Sequence, residues 1–131
     1  MIPIKLSLRN FMPYRDDVPP LNFTGMHTAS ICGDNGSGKS SLIDAITWAL
    51  WGHTRAKSDD DLIHTGQTET QVEFEFAVGQ QVYRVIRQRA RPKSRRASGQ
   101  SSLDLFIASN GTFKPISGNN KTETQRKIID I

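Results

Sequence analysis

The sequence predicts an α/β domain: a mixed or antiparallel β-sheet packed around one helix that follows a glycine-rich loop. Three observations carry that prediction. Several short segments alternate apolar and polar residues with the period of a half-buried strand. One segment, 41–50, carries apolar residues at 42, 43, 46, 49 and 50, which is helical spacing. Between the strands and that helix runs Gly33-Asp34-Asn35-Gly36-Ser37-Gly38-Lys39-Ser40, glycine-dense and ending in a basic residue and a hydroxyl.

In chain order, Pro3–Phe11 alternates over its first half and reads as a strand. Pro13–Asp17 turns the chain into a short strand at Leu21-Asn22-Phe23, and Pro19-Pro20 keeps that point out of a central ladder. His27–Cys32 reads as a short buried strand running into the glycine-rich loop, and the helix 41–50 leaves it. Residues 52–66 are polar, with a short helical stretch at Ser58–Ile63 capped by Ser58, whose Asp59, Asp60 and Asp61 suit a helix N-terminus. Three consecutive acids on a helix point in different directions, so they do not form a metal cage.

Thr70–Val78 places Val72, Phe74, Phe76 and Val78 on one face and Gln71, Glu73 and Glu75 on the other. Gly79 turns it into Gln81–Arg89, a β-hairpin with one buried face. Leu103–Ala108 and Thr112–Ile116 form a second hairpin around Asn110-Gly111, a tight-turn pair. Thr122-Glu123-Thr124-Gln125 has the form of a capping box and starts a last helix. That helix stops on apolar residues at Ile131 without a glycine or polar cap, so the chain reads as cut.

The loop 33–40 satisfies Gly, four residues, Gly-Lys-Ser, the phosphate-binding pattern of nucleoside-triphosphate-binding proteins. Gly33, Gly36 and Gly38 let the backbone wrap with its amides inward around an anion. A helix starting there aims its unpaired N–H groups and positive dipole end at the same place. Lys39 supplies the catalytic cation between the β- and γ-phosphates, and the Ser40 hydroxyl is a hard oxygen ligand for Mg²⁺. Asn35, Gly36, Ser37, Gly38, Lys39, Ser40 and Ser41 are therefore the residues expected to hold ATP.

Composition bounds the rest. The 131 residues make one domain, with 36% hydrophobic and 23% charged residues, a soluble globular balance. No run has the length of a membrane span and the amino terminus has no signal-peptide form. Cys32 is the only cysteine, so no internal disulfide forms and a reducing cytoplasm is the natural compartment. The net charge of +4 is uneven: Arg84, Arg87, Arg89, Arg91, Lys93, Arg95 and Arg96 supply 7 of 17 basic residues, with no acid between Glu75 and Asp104. The stretch 84–99 reads either as a solvated loop or as a basic hairpin loop that neutralises nucleic-acid phosphates without base stacking.

The order of elements, with Asn10-Phe11 after a first strand and then Gly-Asp-Asn-Gly-Ser-Gly-Lys-Ser-Ser-Leu-Ile-Asp-Ala-Ile at 33–46, resembles the amino-terminal ATPase lobe of SbcC-type DNA repair proteins. These stand with the structural-maintenance-of-chromosomes (SMC) ATPases in the ABC class of P-loop NTPases. The resemblance continues through Trp51–Ile63, and Asn35 and Ser41 are typical of it. Met12 departs from it, since many relatives carry an arginine there, which withdraws a base-edge contact from that position.

The resemblance implies that residues 1–131 form a single nucleotide-binding lobe ending before a coiled coil. It places Ile63, His64 and Thr65 along the nucleoside, and Arg55 in a loop near the phosphates or the DNA-facing surface; a solvated loop is the other reading of Arg55 and Lys57. It raises double-stranded DNA as a partner for Arg55, Arg87, Arg89, Arg91, Lys93, Arg95 and Arg96, beside the solvated-loop reading. It further implies a carboxy-terminal lobe, a second head joined on ATP, an SbcD-type nuclease, no membrane, and a cytoplasmic location, nucleoid-associated in a bacterium.

The chain lacks what hydrolysis needs besides phosphate binding: no run of four apolar residues ends in Asp, the form of the second carboxylate site. Ile116-Ser117-Gly118-Asn119 echoes the ABC signature without its second glycine and reads as a turn. Asn120-Lys121-Thr122-Glu123 imitates a guanine-reading motif, but no Asp-x-x-Gly accompanies it. The resemblance assigns the missing motifs to the carboxy-terminal lobe, so this lobe alone is expected to bind ATP without efficient turnover. Other readings remain: the head of another SMC-, RecF- or RecN-like protein, an ABC transporter nucleotide-binding domain, or a nucleic-acid-binding fragment without turnover.

Overall fold

A computed structural model describes residues 2–11, 21–22, 39–52, 62–63, 66–91 and 99–131. The expected strand His27–Cys32, the glycine-rich residues Gly33–Gly38 and the stretch Ser58–Asp61 lie outside these residues. The described elements are β1 (Ile2–Arg9), β2 (Leu21–Asn22), α1 (Lys39–Trp51), β3 (Glu69–Val78), β4 (Gln81–Ala90), β5 (Gln100–Ser109), β6 (Thr112–Pro115) and α2 (Lys121–Ile129).

The strands form one sheet in the order β2-β1-β3-β4-β5-β6, and every described pairing is antiparallel. Both tight turns expected from the sequence are present. Gly79 turns β3 into β4 at φ 61°, and Asn110-Gly111 turns β5 into β6 with both residues at positive φ, the two-residue geometry that matches strand twist.

The alternation decides which face is buried. Leu6, Leu8, Val72, Phe74, Phe76, Val85, Leu103 and Leu105 lie on one face and join Ala45, Trp48, Ala49 and Leu50 of α1 and Ile128 of α2 in one core. Phe74 stacks on Phe76 and Phe76 on Tyr83, with ring centroids 5.5 and 5.7 Å apart. The opposite face carries an ion-pair cluster: Arg84 pairs with Glu73 at 3.0 Å and Glu75 at 2.6 Å, and its guanidinium lies 3.8 Å over the Phe113 ring.

The two helices differ from the sequence expectation in detail. The apolar spacing set Ile43 on the packed side of α1, yet Ile43 is half exposed while Asp44 is buried, so the face toward the sheet runs through 44, 45, 48 and 49. The small side chains of Ala45 and Ala49 let α1 approach the sheet, and Trp48 fills the space between them. The last helix is not capped by Thr122. Its N-cap is Asn120, whose side chain accepts from the Glu123 amide at 2.9 Å, while Glu123 reaches back to the Asn119 amide at 2.7 Å. Asn outranks Thr at an N-cap, so the helix starts at Lys121, and the guanine-motif look-alike is the cap itself.

Candidate nucleotide site

Helix α1 begins at Lys39, inside the Gly-Lys-Ser sequence, so Lys39 and Ser40 occupy its first turn. The first turn of any α-helix has amides without intrahelical acceptors and carries the positive end of the helix dipole. This arrangement suits an anion, and the Lys39 ammonium and Ser40 hydroxyl are the donor types a nucleotide phosphate and Mg²⁺ require. Asn35, Gly36, Ser37 and Gly38 lie outside the described residues, and Ser41 is placed in α1 by its backbone alone.

A small scaffold at the end of β1 packs against α1 near the helix C-terminus, at Trp48. Asn10 takes φ 53°, a left-handed conformation that asparagine tolerates better than most side chains. The bend turns Phe11 inward, where it is fully buried with its ring 5.8 Å from Trp48 of α1. Phe11 also forms an isolated antiparallel bridge with Ile63, which brings the loop after α1 back beside β1. Ile63 is buried at 4% exposure, so its side chain belongs to the buried interior. His64, Thr65 and Arg55 lie outside the described residues.

At the far end of α1 three successive carbonyls are satisfied by three different parts of the chain. Trp48 accepts from the Gly52 amide at 2.8 Å, with Gly52 at φ 73°, as helix C-termini commonly do with glycine. Ala49 accepts from Arg87 Nε at 3.3 Å, and Leu50 accepts from Gln125 Nε2 at 2.7 Å. Arg87 Nη2 also donates to Gln125 Oε1, closing the ring between β4 and α2. The last turn of α1 has no basic residue of its own, and the Arg87 guanidinium supplies the cation that the negative dipole end favours.

This corrects the place of Arg87 among the basic residues grouped for DNA. It is 6% exposed, on the sheet face that packs against α1, with its guanidinium 5.9 Å from the Trp48 ring. Strand parity is the reason: Arg87 shares the inward face with Val85 and sits opposite Val72 and Leu103. The others described are less enclosed. Arg89 donates to Ser101 Oγ at 2.8 Å, and the exposed Arg91 donates from Nε to the Gln67 carbonyl at 3.1 Å. Lys93, Arg95 and Arg96 lie outside the described residues. Arg84, counted with the same run, is occupied by Glu73 and Glu75 on the outer face.

Sequence reasoning missed the pairing of Arg87 with Gln125. The available signal was the position of Arg87 in the alternation, which puts a charge on a face otherwise apolar. No group of three His, Cys, Asp or Glu side chains suited to a metal exists among the described residues, and no described helix is long and apolar enough to cross a membrane.

Comparison with known proteins agrees with this geometry. Residues 5–131 match the AAA domain family. The chain is 34% identical over 134 residues to the SbcC component of the SbcCD nuclease of Deinococcus radiodurans, covering all of this chain and 14% of that protein. It is 40% identical over 87 residues to the DNA double-strand break repair Rad50 ATPase of Thermoplasma acidophilum, covering 66% of this chain and 9% of that protein. The chromosome partition protein Smc of Mycoplasma genitalium is 36% identical over 119 residues, 82% of this chain and 12% of its own length. The chain thus spans a small part of each relative. Its fold is similar to that of a solved structure of the recombination mediator RecF-ATP, with a TM-score of 0.52 at 16% identity, covering 92% of this chain and 29% of that one. A first strand bent at Asn10-Phe11, a Gly-Lys-Ser sequence opening α1 and an antiparallel sheet beneath it are set in a match of nearly full length: the chain belongs to the AAA domain family, in its SbcC- and SMC-like amino-terminal form.

Proposed function

We propose that this chain is the ATP-binding half of an SbcC-like DNA-repair ATPase head. The observation that supports it most is the start of α1 at Lys39, which puts a helix N-terminus directly behind a Gly-x-x-x-x-Gly-Lys-Ser sequence. Amides from Gly36 to Ser41 hold the phosphates, with Asn35 and Ser37 shaping the loop. Lys39 neutralises the β- and γ-phosphate charge, and Ser40 ligates Mg²⁺. Mg²⁺ held there would supply charge neutralisation to the phosphoryl group. The loop at Ile63-His64-Thr65 passes the nucleoside. Turnover requires a carboxylate to position water, supplied by a carboxy-terminal lobe, and two such heads close on ATP to regulate an SbcD-type nuclease at DNA ends. The basic end of the β4–β5 hairpin, from Arg89 onward, together with Arg55, contacts duplex phosphates. The working compartment is the cytoplasm.

A second reading, the head lobe of an SMC-like protein acting on chromosomes rather than on a nuclease, has support from the 36% identity to Smc over 82% of the chain. Both readings share the ATP site and differ in the partner.

The test is Mg²⁺-ATP binding and hydrolysis by this chain, alone and mixed with a separately expressed carboxy-terminal lobe, with Lys39→Ala as control. Binding by the lone chain, turnover on mixing and loss of both in the control are expected. Full turnover by the lone chain would mean that it contains its own catalytic carboxylate, and the split-head reading would be wrong.

A further inference from the structure

The contacts at the distal end of α1 have a consequence for its proximal end. We propose that Arg87 and Gln125 are positioning residues for nucleotide binding, acting through α1 as one clamp; the inference rests on the nucleotide-binding reading of Lys39 and Ser40. Helix α1 runs 13 residues, about 20 Å at 1.5 Å per residue, so its ends move together as a rod. Its proximal end carries Lys39 and Ser40. At its distal end Arg87 from β4 holds the Ala49 carbonyl and Gln125 from α2 holds the Leu50 carbonyl, and the two side chains hold each other.

Two physical effects then follow. The clamp fixes where α1 sits along its axis against the sheet, and hence where the Lys39 turn stands. The Arg87 cation also offsets the negative end of the helix dipole, which steadies the last turn of α1. Ordinary helix capping would need neither a charged donor from the sheet nor a link to a second helix, since the Gly52 amide already closes the last turn on Trp48. The ring also gives α2 and the strand leading to Arg89 and Arg91 a direct hold on the nucleotide-binding helix.

Trp48 makes the clamp observable. It is fully buried, and the Arg87 guanidinium lies 5.9 Å from its ring, so its emission responds to any shift of the clamp. Trp51, the only other tryptophan, is 46% exposed and can be replaced by phenylalanine. In a Trp51→Phe background, titration with Mg²⁺-ATP in the presence of the carboxy-terminal lobe is expected to change Trp48 emission. Arg87→Met and Gln125→Leu are each expected to raise the Kd for Mg²⁺-ATP about fivefold, the low end of coupling between separate sites. The double variant should be no worse than either single one, and Arg87→Lys should recover part of the loss. All are measured at a temperature where each variant is fully folded.

Wild-type affinity in folded Arg87→Met and Gln125→Leu proteins, with only their melting temperatures lowered, would show a merely structural clamp and overturn the inference. Silence of Trp48 on saturation with nucleotide overturns it as well, and that measurement needs neither clamp variant to fold. A wild-type protein that binds no Mg²⁺-ATP at all defeats the nucleotide-binding reading itself, and the inference with it.

Discussion

Replacing Gly52 by alanine tests the end of α1 without altering the two side chains, Arg87 and Gln125, that bind its carbonyls. Gly52 stands at φ 73°, where a side chain costs roughly 1 kcal/mol. An added methyl carbon would sit 3.1 Å from Arg87 Nη1 and 3.6 Å from Arg87 Cζ, so the guanidinium must retreat by a few tenths of an ångström, about what separates 3.1 Å from ordinary contact. The Arg87 Nε bond to Ala49 is already long at 3.3 Å, and retreat lengthens it further. A hydrogen bond from a charged group contributes about 1.5–3 kcal/mol, and losing part of it adds about 1 kcal/mol to the strain. Gly52→Ala should therefore destabilise the protein by about 2 kcal/mol, or about 8 °C in Tm for a domain of this size. In an Arg87→Met background only the strain remains, about 1 kcal/mol, so a double-mutant cycle by urea unfolding should return an interaction of about 1 kcal/mol. Equal costs in the two backgrounds, within about 0.3 kcal/mol, would refute the reasoning that the backbone at Gly52 and the Arg87 side chain share one space.

Three further outcomes are expected. Asn120→Ala should cost about 1 kcal/mol in urea unfolding, while Thr122→Ala, one residue inside α2, should change stability by less than about 0.5 kcal/mol; the reverse order would restore the cap read from sequence. Trp48→Ala, which empties the fully buried space between Phe11 and Arg87, should cost about 3–5 kcal/mol, a large share of a domain's stability, read from the same unfolding curves. In duplex binding followed by fluorescence anisotropy against salt, Arg91→Gln should lower the slope of log affinity by about one ion. Arg84→Gln should leave that slope unchanged, because Glu73 and Glu75 already occupy the Arg84 charge; a slope that answers to Arg84 and not to Arg91 would remove the β4–β5 end from the DNA reading.

What the sequence determined by itself was whatever depends on local pattern. Strict alternation at Thr70–Val78 named the buried residues Val72, Phe74 and Phe76 correctly because side-chain period in a strand is fixed by backbone geometry. Gly79 and Asn110-Gly111 gave both turns because few other residues accept positive φ there. The apolar spacing of 41–50 found α1 but began it two residues late, since the helix starts at Lys39.

Tertiary structure decided what depends on neighbours far away in the chain. Ile43 belonged to an apolar helical stripe, yet which side of α1 meets the sheet was settled by how closely Ala45 and Ala49 let it approach. Arg87 looked like one of seven cations in a run, and only the pairing of β4 with β3 and β5 turned it inward beneath α1. There Gln125, 38 residues away, became its partner. Local pattern fixes which way a side chain points relative to its own strand. What that side chain then meets is fixed by burial, because a charge that enters a core must find its partners wherever the fold has brought them.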